Sequence, residues 1–323
     1  MMDETRPDSL GGAPFDEIVE RHRRELHVHC YRMTGSVVEA EDLVQETLVR
    51  AWRARDRFEG RSSVRTWLYR IATNVCLDAL GRQGRRPTPV GDLLAEDPDL
   101  QPYPDALLAR GSAGGPDDEV AARETVELGL VAALLHLPPR QRAALIVRDV
   151  LGWTPPEAAE ALGLGVEATN SLTQRARATL GRRAPSGRLT WSRPSLTAED
   201  RLVLDRYVDA HEQGDAAAIL GLLRDDVRFT MPPDAPAVGA VAAAAFLREV
   251  IEPGGPGEWR LVRTWANGRP AMANYLRRPG DDEFRALSID VLRLEDGRIA
   301  EVNCFLDAAV FPAFDLPPVH PDP

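Results

Sequence analysis

No lysine occurs in this chain: all 39 cationic Lys or Arg positions among its 323 residues are arginine. Codon composition is the simpler origin of that bias, although the planar guanidinium is also the better bidentate partner for carboxylates and phosphates. Long apolar runs are missing too. None approaches the roughly 18 residues needed to span a bilayer. The polar start MMDETRPDSLGG lacks the apolar core of a secretory leader. Both absences lead us to expect a soluble, cytoplasmic chain with no membrane partner. Cysteine is scarce. Cys30, Cys76 and Cys304 lie far apart without a CxxC spacing, which excludes a disulfide framework and reads as small buried hydrophobes in a reducing compartment. There is no P-loop, no GxSxG and no metal-ligand spacing, so no cofactor and no metal is expected.

Positive charge is short overall, with a net charge of -11, yet it is unevenly spread. Residues 15–86 hold 14 Arg against 11 Asp and Glu, and residues 128–196 hold 9 against 4. Residues 87–127 hold 2 against 10, and residues 197–323 hold 13 against 22. Two basic modules are thus separated by an acidic linker and followed by an acidic domain. Phosphate attraction is screened beyond roughly 8–10 Å at cellular salt, so local basic surfaces still bind nucleic acid within an acidic chain.

Length alone predicts two or three domains. Phe15, Ile18, Val19, His22, Leu26, Cys30 and Met33 follow helical spacing. A second helix is expected over about 37–55. A third is expected from a cap at Ser62 or Ser63 to about Arg82, with Val64, Trp67, Leu68, Ile71 and Val75 as its buried stripe. Residues 87–118 carry six prolines with glycines and acids and read as an irregular linker. Its LQPYPDALL stretch suits a short helix or a docked segment. Helices are expected over 120–136 and 139–150, then from a Thr154 cap to Gly163, then from about Val166 to Arg182. Two helices around a short glycine turn form the helix-turn-helix pattern. After a Pro/Ser joint, helices at about 199–213, 215–223 and 240–250 surround strand-like runs. Those runs are Val227–Met231, Trp259–Ala266, Ala271–Arg277, Phe284–Leu294 and Ile299–Leu306, and glycine turns join the later ones as antiparallel hairpins.

The most specific stretches are AEDLVQETLVRAW at 40–52 and FEGRSSVRTWLYRIATNVCLD at 58–78. On a helix, Asp42, Gln45, Glu46 and Val49 recur at i, i+3, i+4 and i+7 and share one face. A lone acidic stripe is usually a solvated face. Here AEDLVQET is followed by RTWLYRIATN, and together they resemble region 2 of a sigma-70 family initiation factor of the extracytoplasmic-function group. That resemblance implies that the stripe of Asp42, Gln45, Glu46 and Val49 docks on the β′ clamp helices of core RNA polymerase. It also implies that the next helix captures and melts the promoter −10 element. Unstacking a base costs a few kcal/mol, and aromatic or Arg planes recover roughly 1–3 kcal/mol per base. Arg65, Trp67, Tyr69, Arg70 and Asn74 are the candidates, although helical spacing also places Trp67 with the core. The loop Phe58–Ser63 would hold a flipped base.

Residues 137–183, from LPPRQR through the helix-turn-helix to RAR, resemble sigma region 4, which implies contact with the β flap and a helix in the major groove at −35. Asn170, Ser171 and Gln174 would address base edges, and Arg175 and Arg177 would touch phosphates. Asn170, Leu172 and Thr173 depart from the residues frequent there, which affects sequence preference rather than the module. The helix RLVLDRYVDAHEQGD, the strand FTMPP and the α+β order resemble a SnoaL-like, polyketide-cyclase domain of the nuclear-transport-factor-2-like superfamily. That likeness implies a cone around a pocket, with Tyr207, His211, Trp265, Tyr275, Asp290 and Asn303 as candidates for a small-molecule ligand site and Asp209 beside them. No pair among them is fixed by motif spacing.

The expected architecture is two all-α modules followed by an α+β cone with a curved antiparallel sheet. Its parts are a disordered start (1–14), region 2 (15–86), the linker (87–119), region 4 (120–183), a joint (184–196), the SnoaL-like domain (197–315) and a tail (316–323). The expected function is non-enzymatic: a sigma factor that binds core polymerase and promoter DNA and is tuned in cis by its last domain. The sequence names no separate anti-sigma factor. Two rivals from other classes are a one-component helix-turn-helix regulator with a ligand domain and a cyclase-like enzyme fused to a DNA-binding module. The first leaves AEDLVQET and WLYRIATN unexplained, and the second lacks a specified acid–base set.

Overall fold

The computed structural model describes residues 14–60, 62–83, 100–109, 128–183, 196–232, 236–252 and 254–320. The chain forms two units, one from residues 1–87, 108–124 and 133–189, the other from 88–107, 125–132 and 190–323. The middle of the chain therefore contributes to both. The expectations for 1–13, for 84–86 of region 2, for 87–99 and 110–119 of the linker, for 120–127 of a helix and for the joint at 184–195 lie outside the described residues.

In the first unit, α1 (Phe15–Thr34) stops at Gly35, which takes φ 79 and returns its N–H to the Tyr31 carbonyl. A left-handed turn at this point favours glycine. Ser36 then caps α2 (Val37–Ala54) by accepting the Glu39 N–H at 3.1 Å. Ser63 caps α3 (Val64–Gln83), accepting the Thr66 N–H at 3.0 Å. The three helices close over Leu26, Met33, Val44, Ala51, Leu68 and Val75. The buried stripe of α3 differs from the expected one. Leu68 and Val75 are buried, but Val64, Trp67 and Ile71 are only half-buried, while Tyr69, Ala72, Thr73 and Cys76 are fully enclosed. The reason is that α3 is packed on two sides, by α1 and α2 and also by a helix from later in the chain.

That later helix belongs to the helix-turn-helix. Following α4 (Asp105–Ala109) and α5 (Leu128–Leu135), Pro139 opens α6 (Pro139–Leu145). The single helix expected over 139–150 instead widens into a π turn at Ile146–Val150, closed by Leu151 N–H to the Ile146 carbonyl at 2.9 Å. Glu157 accepts the Thr154 backbone N–H at 2.8 Å and starts α7 (Pro155–Leu162). Gly163, at φ 62, turns the chain into α8 (Val166–Arg183). It is α7 that lies on α3. Arg142 fastens the same unit elsewhere. The residue is 5% exposed and its guanidinium donates to the carbonyls of Leu134 (2.9 Å), Leu135 (2.7 Å), Leu137 (3.2 Å) and Met33. A cation at the carbonyl end of α1 also complements the helix dipole.

In the second unit, α9 (Ala198–Glu212) and α10 (Ala216–Leu222) lead into β1 (Leu223–Thr230), which starts four residues earlier than expected. A short β2 (Ala237–Val238) and α11 (Ala240–Ile251) follow. Then come β3 (Glu258–Ala266), β4 (Arg269–Arg277), β5 (Arg285–Glu295) and β6 (Arg298–Phe305). The sheet order is β2-β1-β6-β5-β4-β3. It is mixed rather than wholly antiparallel, because β6 returns beside β1 and pairs with it in parallel. The connection is long enough for that crossover. One face packs on the three helices around Leu204, Tyr207, Leu247, Trp259, Leu276 and Leu292. The other face meets a short 3-10 segment, Ala308–Phe314.

Gly35 supplies a stability test. A Cβ there would lie 2.6 Å from Leu135 Cδ1, at a φ that L-residues adopt only with strain. Gly35→Ala should lower unfolding free energy by roughly 1–2 kcal/mol in denaturant melts. An unchanged midpoint would contradict the turn geometry.

Candidate functional site

On α2, Asp42, Gln45 and Val49 are exposed on one face. Glu46 is half-buried and accepts from Arg50 Nε at 2.7 Å, while Arg50 also reaches Asp78 at 2.9 Å. Gln45 donates to Glu41 at 2.9 Å. The stripe continues to Trp52, 48% exposed, which sequence reasoning missed. Arg55 lies 3.7 Å over its ring and Phe15 packs on it edge-on at 5.2 Å. Positions 42, 45, 49 and 52 repeat at helical spacing, so the signal was present in the sequence. The surface is therefore acidic at one end and apolar at the other.

On α3 the five candidates separate. Arg70 and Asn74 are exposed, one turn apart. Trp67 is half-buried, its ring 5.1 Å from Phe58 in the preceding loop. Tyr69 does not belong to an open surface: it is fully buried, between the edges of His29 (5.0 Å) and Trp153 (5.2 Å). The packing of α7 on α3 encloses it. Arg65 pairs with Glu25 at 2.6 Å and lies over the Tyr69 ring at 5.2 Å. Burial pushes the Glu25 carboxyl up, but His22 and Arg65 outweigh it and hold it below the usual carboxylate range. Burial drives His29 down to about 3, so it is neutral, with Nε2 3.0 Å from Thr73 Oγ1.

On α8, Asn170, Ser171, Gln174 and Arg175 are exposed, while Thr169, Thr173 and Ala176 form the buried seam. Arg177 is exposed, but its guanidinium is bound in fork geometry by Asp149 of the π turn, at 2.8 and 2.5 Å. Its expected phosphate contact therefore competes with an ion pair, and Arg175 is the better placed of the two.

The C-terminal candidates do not form one pocket, because strand alternation divides them between faces. Tyr207, His211 and Asp290 are buried on the helix-covered face. Trp265 shares the parity of Trp259 and Leu261 but is half-buried at the strand end. Tyr275 lies on the opposite face, where its hydroxyl donates to the Pro317 carbonyl at 3.0 Å and its ring meets Phe311 and His320. Asn303 accepts from Thr230 at 2.6 Å, with the same parity as Tyr275's face. An open groove of about 380 Å³ lies between α9 and α10, lined by Arg206, Asp209, Gln213 and Asp215. Of the sequence candidates, only Asp209 lines it.

On the helix-covered face Ser288 links Asn274 (2.9 Å) to Asp290 (3.3 Å). Burial raises Asp290 to about 6, against hydrogen bonds from Cys304, Asn274 and Ser288 that lower it. Burial, and then the Asp290 charge, push the Tyr207 phenol well above its ordinary range. His211 is held at about 3 by burial, and neither ring nitrogen has a hydrogen-bond partner. Among the described residues no group of His, Cys, Asp or Glu could hold a metal ion, and no helix is long and apolar enough to cross a membrane.

The stretch Leu100–Asp105 is built into this second unit. Tyr103 N–H donates to Asn267 Oδ1 at 2.8 Å, and Asn267 N–H returns to the Tyr103 carbonyl at 2.9 Å. Gly268 N–H reaches Asp105 at 2.8 Å, Gln101 reaches Asp307 at 2.7 Å, and Pro104 bridges Ala266. Leu100 and Tyr103 are buried. Asn267 (φ 53) and Gly268 (φ 74) form the two-residue hairpin turn that the strap grips.

Residues 18–86 match the family described as Sigma-70 region 2, residues 128–180 match Sigma-70, region 4, and residues 204–302 match the SnoaL-like domain. The chain is 43% identical to the ECF RNA polymerase sigma factor SigG of Mycobacterium tuberculosis, over 94% of this chain and 84% of that protein. It belongs to the extracytoplasmic-function sigma factors. SigJ of the same organism is 28% identical over 87% of this sigma factor and 88% of its own length. The crystal structure of SigJ shares the fold, with a TM-score of 0.58 and 24% identity, over 94% of this chain and 100% of that one.

In this sigma factor Asp290 generates a pH prediction. Its folded value, about 6, lies above the ordinary 3.8. Between those values the folded state binds more protons, so this carboxyl's contribution to stability falls as pH rises towards 6. Above about pH 6 the cost is complete, on the order of 2–3 kcal/mol. Asp290→Asn should therefore be more stable than the parent at pH 8, with the advantage shrinking towards pH 4.5 in paired melts. A pH-independent difference would refute this.

Proposed function

We propose that this sigma factor docks on the β′ clamp helices of core RNA polymerase through Asp42, Gln45, Glu46 and Val49 of α2, extended by Trp52. Region 4 engages the β flap. Arg70 and Asn74 read the −10 strand, joined by Arg65, Trp67 and Tyr69 once α3 is uncovered. Asn170, Ser171 and Gln174 read −35 base edges, and Arg175 contacts phosphate, with Arg177 reaching DNA only by leaving Asp149. The chain acts on DNA in the cytoplasm and carries out no catalysis itself.

The C-terminal domain regulates these modules in cis. One observation supports this reading above the rest: the segment joining region 2 to region 4 is hydrogen-bonded into the SnoaL-like sheet at Asn267 and Gly268. A tether held at residues 101–105 has less free length to pay out, and the separation available to two linked modules depends on free linker length. A small molecule on the helix-covered face would shift this balance only by binding the strapped and released arrangements differently.

Two experiments test the two halves. Replacing Asp42 and Glu46 by Arg should abolish co-purification with core polymerase while far-UV circular dichroism stays native; undiminished assembly would remove the docking face. Asn267→Gly keeps the left-handed turn but deletes the acceptor for Tyr103. It should leave core binding intact and change run-off transcription from the chain's own promoter several-fold. Parental transcription would end the strap reading without touching the first.

A further inference from the structure

Beneath the α3 candidates lies a carboxylate of α1 that sequence reasoning did not single out. The Glu25 side chain is 10% exposed, and three groups converge on it. His22, one turn earlier, donates from Nδ1 to Oε1. Arg65 donates from Nε to Oε2 at 2.6 Å, and the Tyr69 hydroxyl reaches that same oxygen at 3.3 Å. Arg65 and Tyr69 both belong to the −10 candidate set. The Arg65 side chain is 37% exposed, with its guanidinium 5.2 Å over the Tyr69 ring. Burial pushes the Glu25 carboxyl up, but His22 and Arg65 outweigh it, so the group is ionised at neutral pH.

An ionised carboxylate 2.6 Å from the guanidinium offsets much of its field a few ångströms away. A phosphate near Arg65 therefore meets a charge-compensated pair and not a bare cation. The Nε bond to Glu25 also fixes the plane of the guanidinium, because rotating that plane breaks the bond. Phosphate binding gains from released counterions and needs net charge. Stacking of a base on an aromatic ring or an arginine plane needs a held surface and little net charge. The arrangement suits the second task and disfavours the first.

We infer that Glu25 is a positioning residue that sets the selectivity of −10 capture: it neutralises and orients Arg65, so that this arginine serves a base and not a phosphate. This rests on the −10 reading of α3 proposed above.

The test uses holoenzyme assembled from core polymerase and the full chain. The probes are a single-stranded non-template oligonucleotide carrying the −10 region of the chain's own promoter and a scrambled copy of it. Affinity is measured over a salt series, where the slope of log K against log salt changes by about 0.7 for each phosphate neutralised on a single strand. Arg65→Ala should weaken binding of the −10 strand about tenfold and leave the slope unchanged. Glu25→Gln should expose the Arg65 charge. Affinity for the scrambled strand should then rise several-fold, the slope should steepen by about 0.7, and the preference for the −10 strand should shrink. Adding Arg65→Ala should cancel the steepening, an outcome that a purely structural role for Glu25 does not produce. A slope lowered by about 0.7 in Arg65→Ala overturns the assignment, as does a folded Glu25→Gln protein with the parental slope. If Glu25→Gln does not fold, the Arg65→Ala slope decides alone. Undiminished −10 affinity in Arg65→Ala overturns the role of Glu25 and leaves the sigma reading standing. A wild-type holoenzyme that does not distinguish the −10 strand from the scrambled one defeats the −10 reading and this inference with it.

Discussion

Reciprocal hydrogen bonds between Tyr103 and Asn267 tie the middle of the chain to a hairpin more than 160 residues later, and the organisation of the molecule follows from that tie. Asn267 adopts a left-handed conformation in the hairpin turn, and the backbone there sets where its side chain points. A preorganised acceptor loses little entropy when it binds. The strap adds the Asp105 contact to Gly268 and the burial of Leu100 and Tyr103. Residues 100–105 thereby become part of the folded sheet domain.

In the first unit, polar groups removed from water are met both between modules, as at Arg142 and Met33, and within region 2, as at Glu25. Arg142 donates to carbonyls at the ends of α1 and α5 and in the loop before α6. Glu25 is buried and stays ionised because Arg65 and His22 face it. Breaking one side of such a pair leaves the other charge stranded, which costs more than the intact pair contributes. These contacts consequently favour a defined closed arrangement over a loose one.

The C-terminal domain keeps titratable groups in an apolar interior without uniting them in an acid–base set. Asp290, Tyr207 and His211 are enclosed among helix-facing side chains, while Tyr275 and Asn303 lie behind the sheet. Burial drives Asp290 up and His211 down, each towards its neutral form. Such groups shape a polar interior and influence stability with pH.

Local pattern in the sequence determined the helices, the cap at Thr154 and one at Ser62 or Ser63, the helix-turn-helix, the hairpin turns and the exposed stripe of α2. Each depends on spacing or turn chemistry within a few residues, and a one-dimensional chain records those directly. The exposed side of α8 was legible for the same reason. Only the tertiary structure decided that Tyr69 is enclosed, that Trp153 faces it, that Arg177 is paired with Asp149, that β6 runs parallel to β1 and that the SnoaL-like candidates divide between two faces. Those facts depend on which distant segment arrives at a surface. A helix reads as having one buried side until a second module covers another, and strand parity assigns a side chain to a face only when register and bulges are known. The strap lies between the two cases. Its composition marked LQPYPD as unusual and the Asn267-Gly268 turn was legible, but that the two meet depends on the folded sheet.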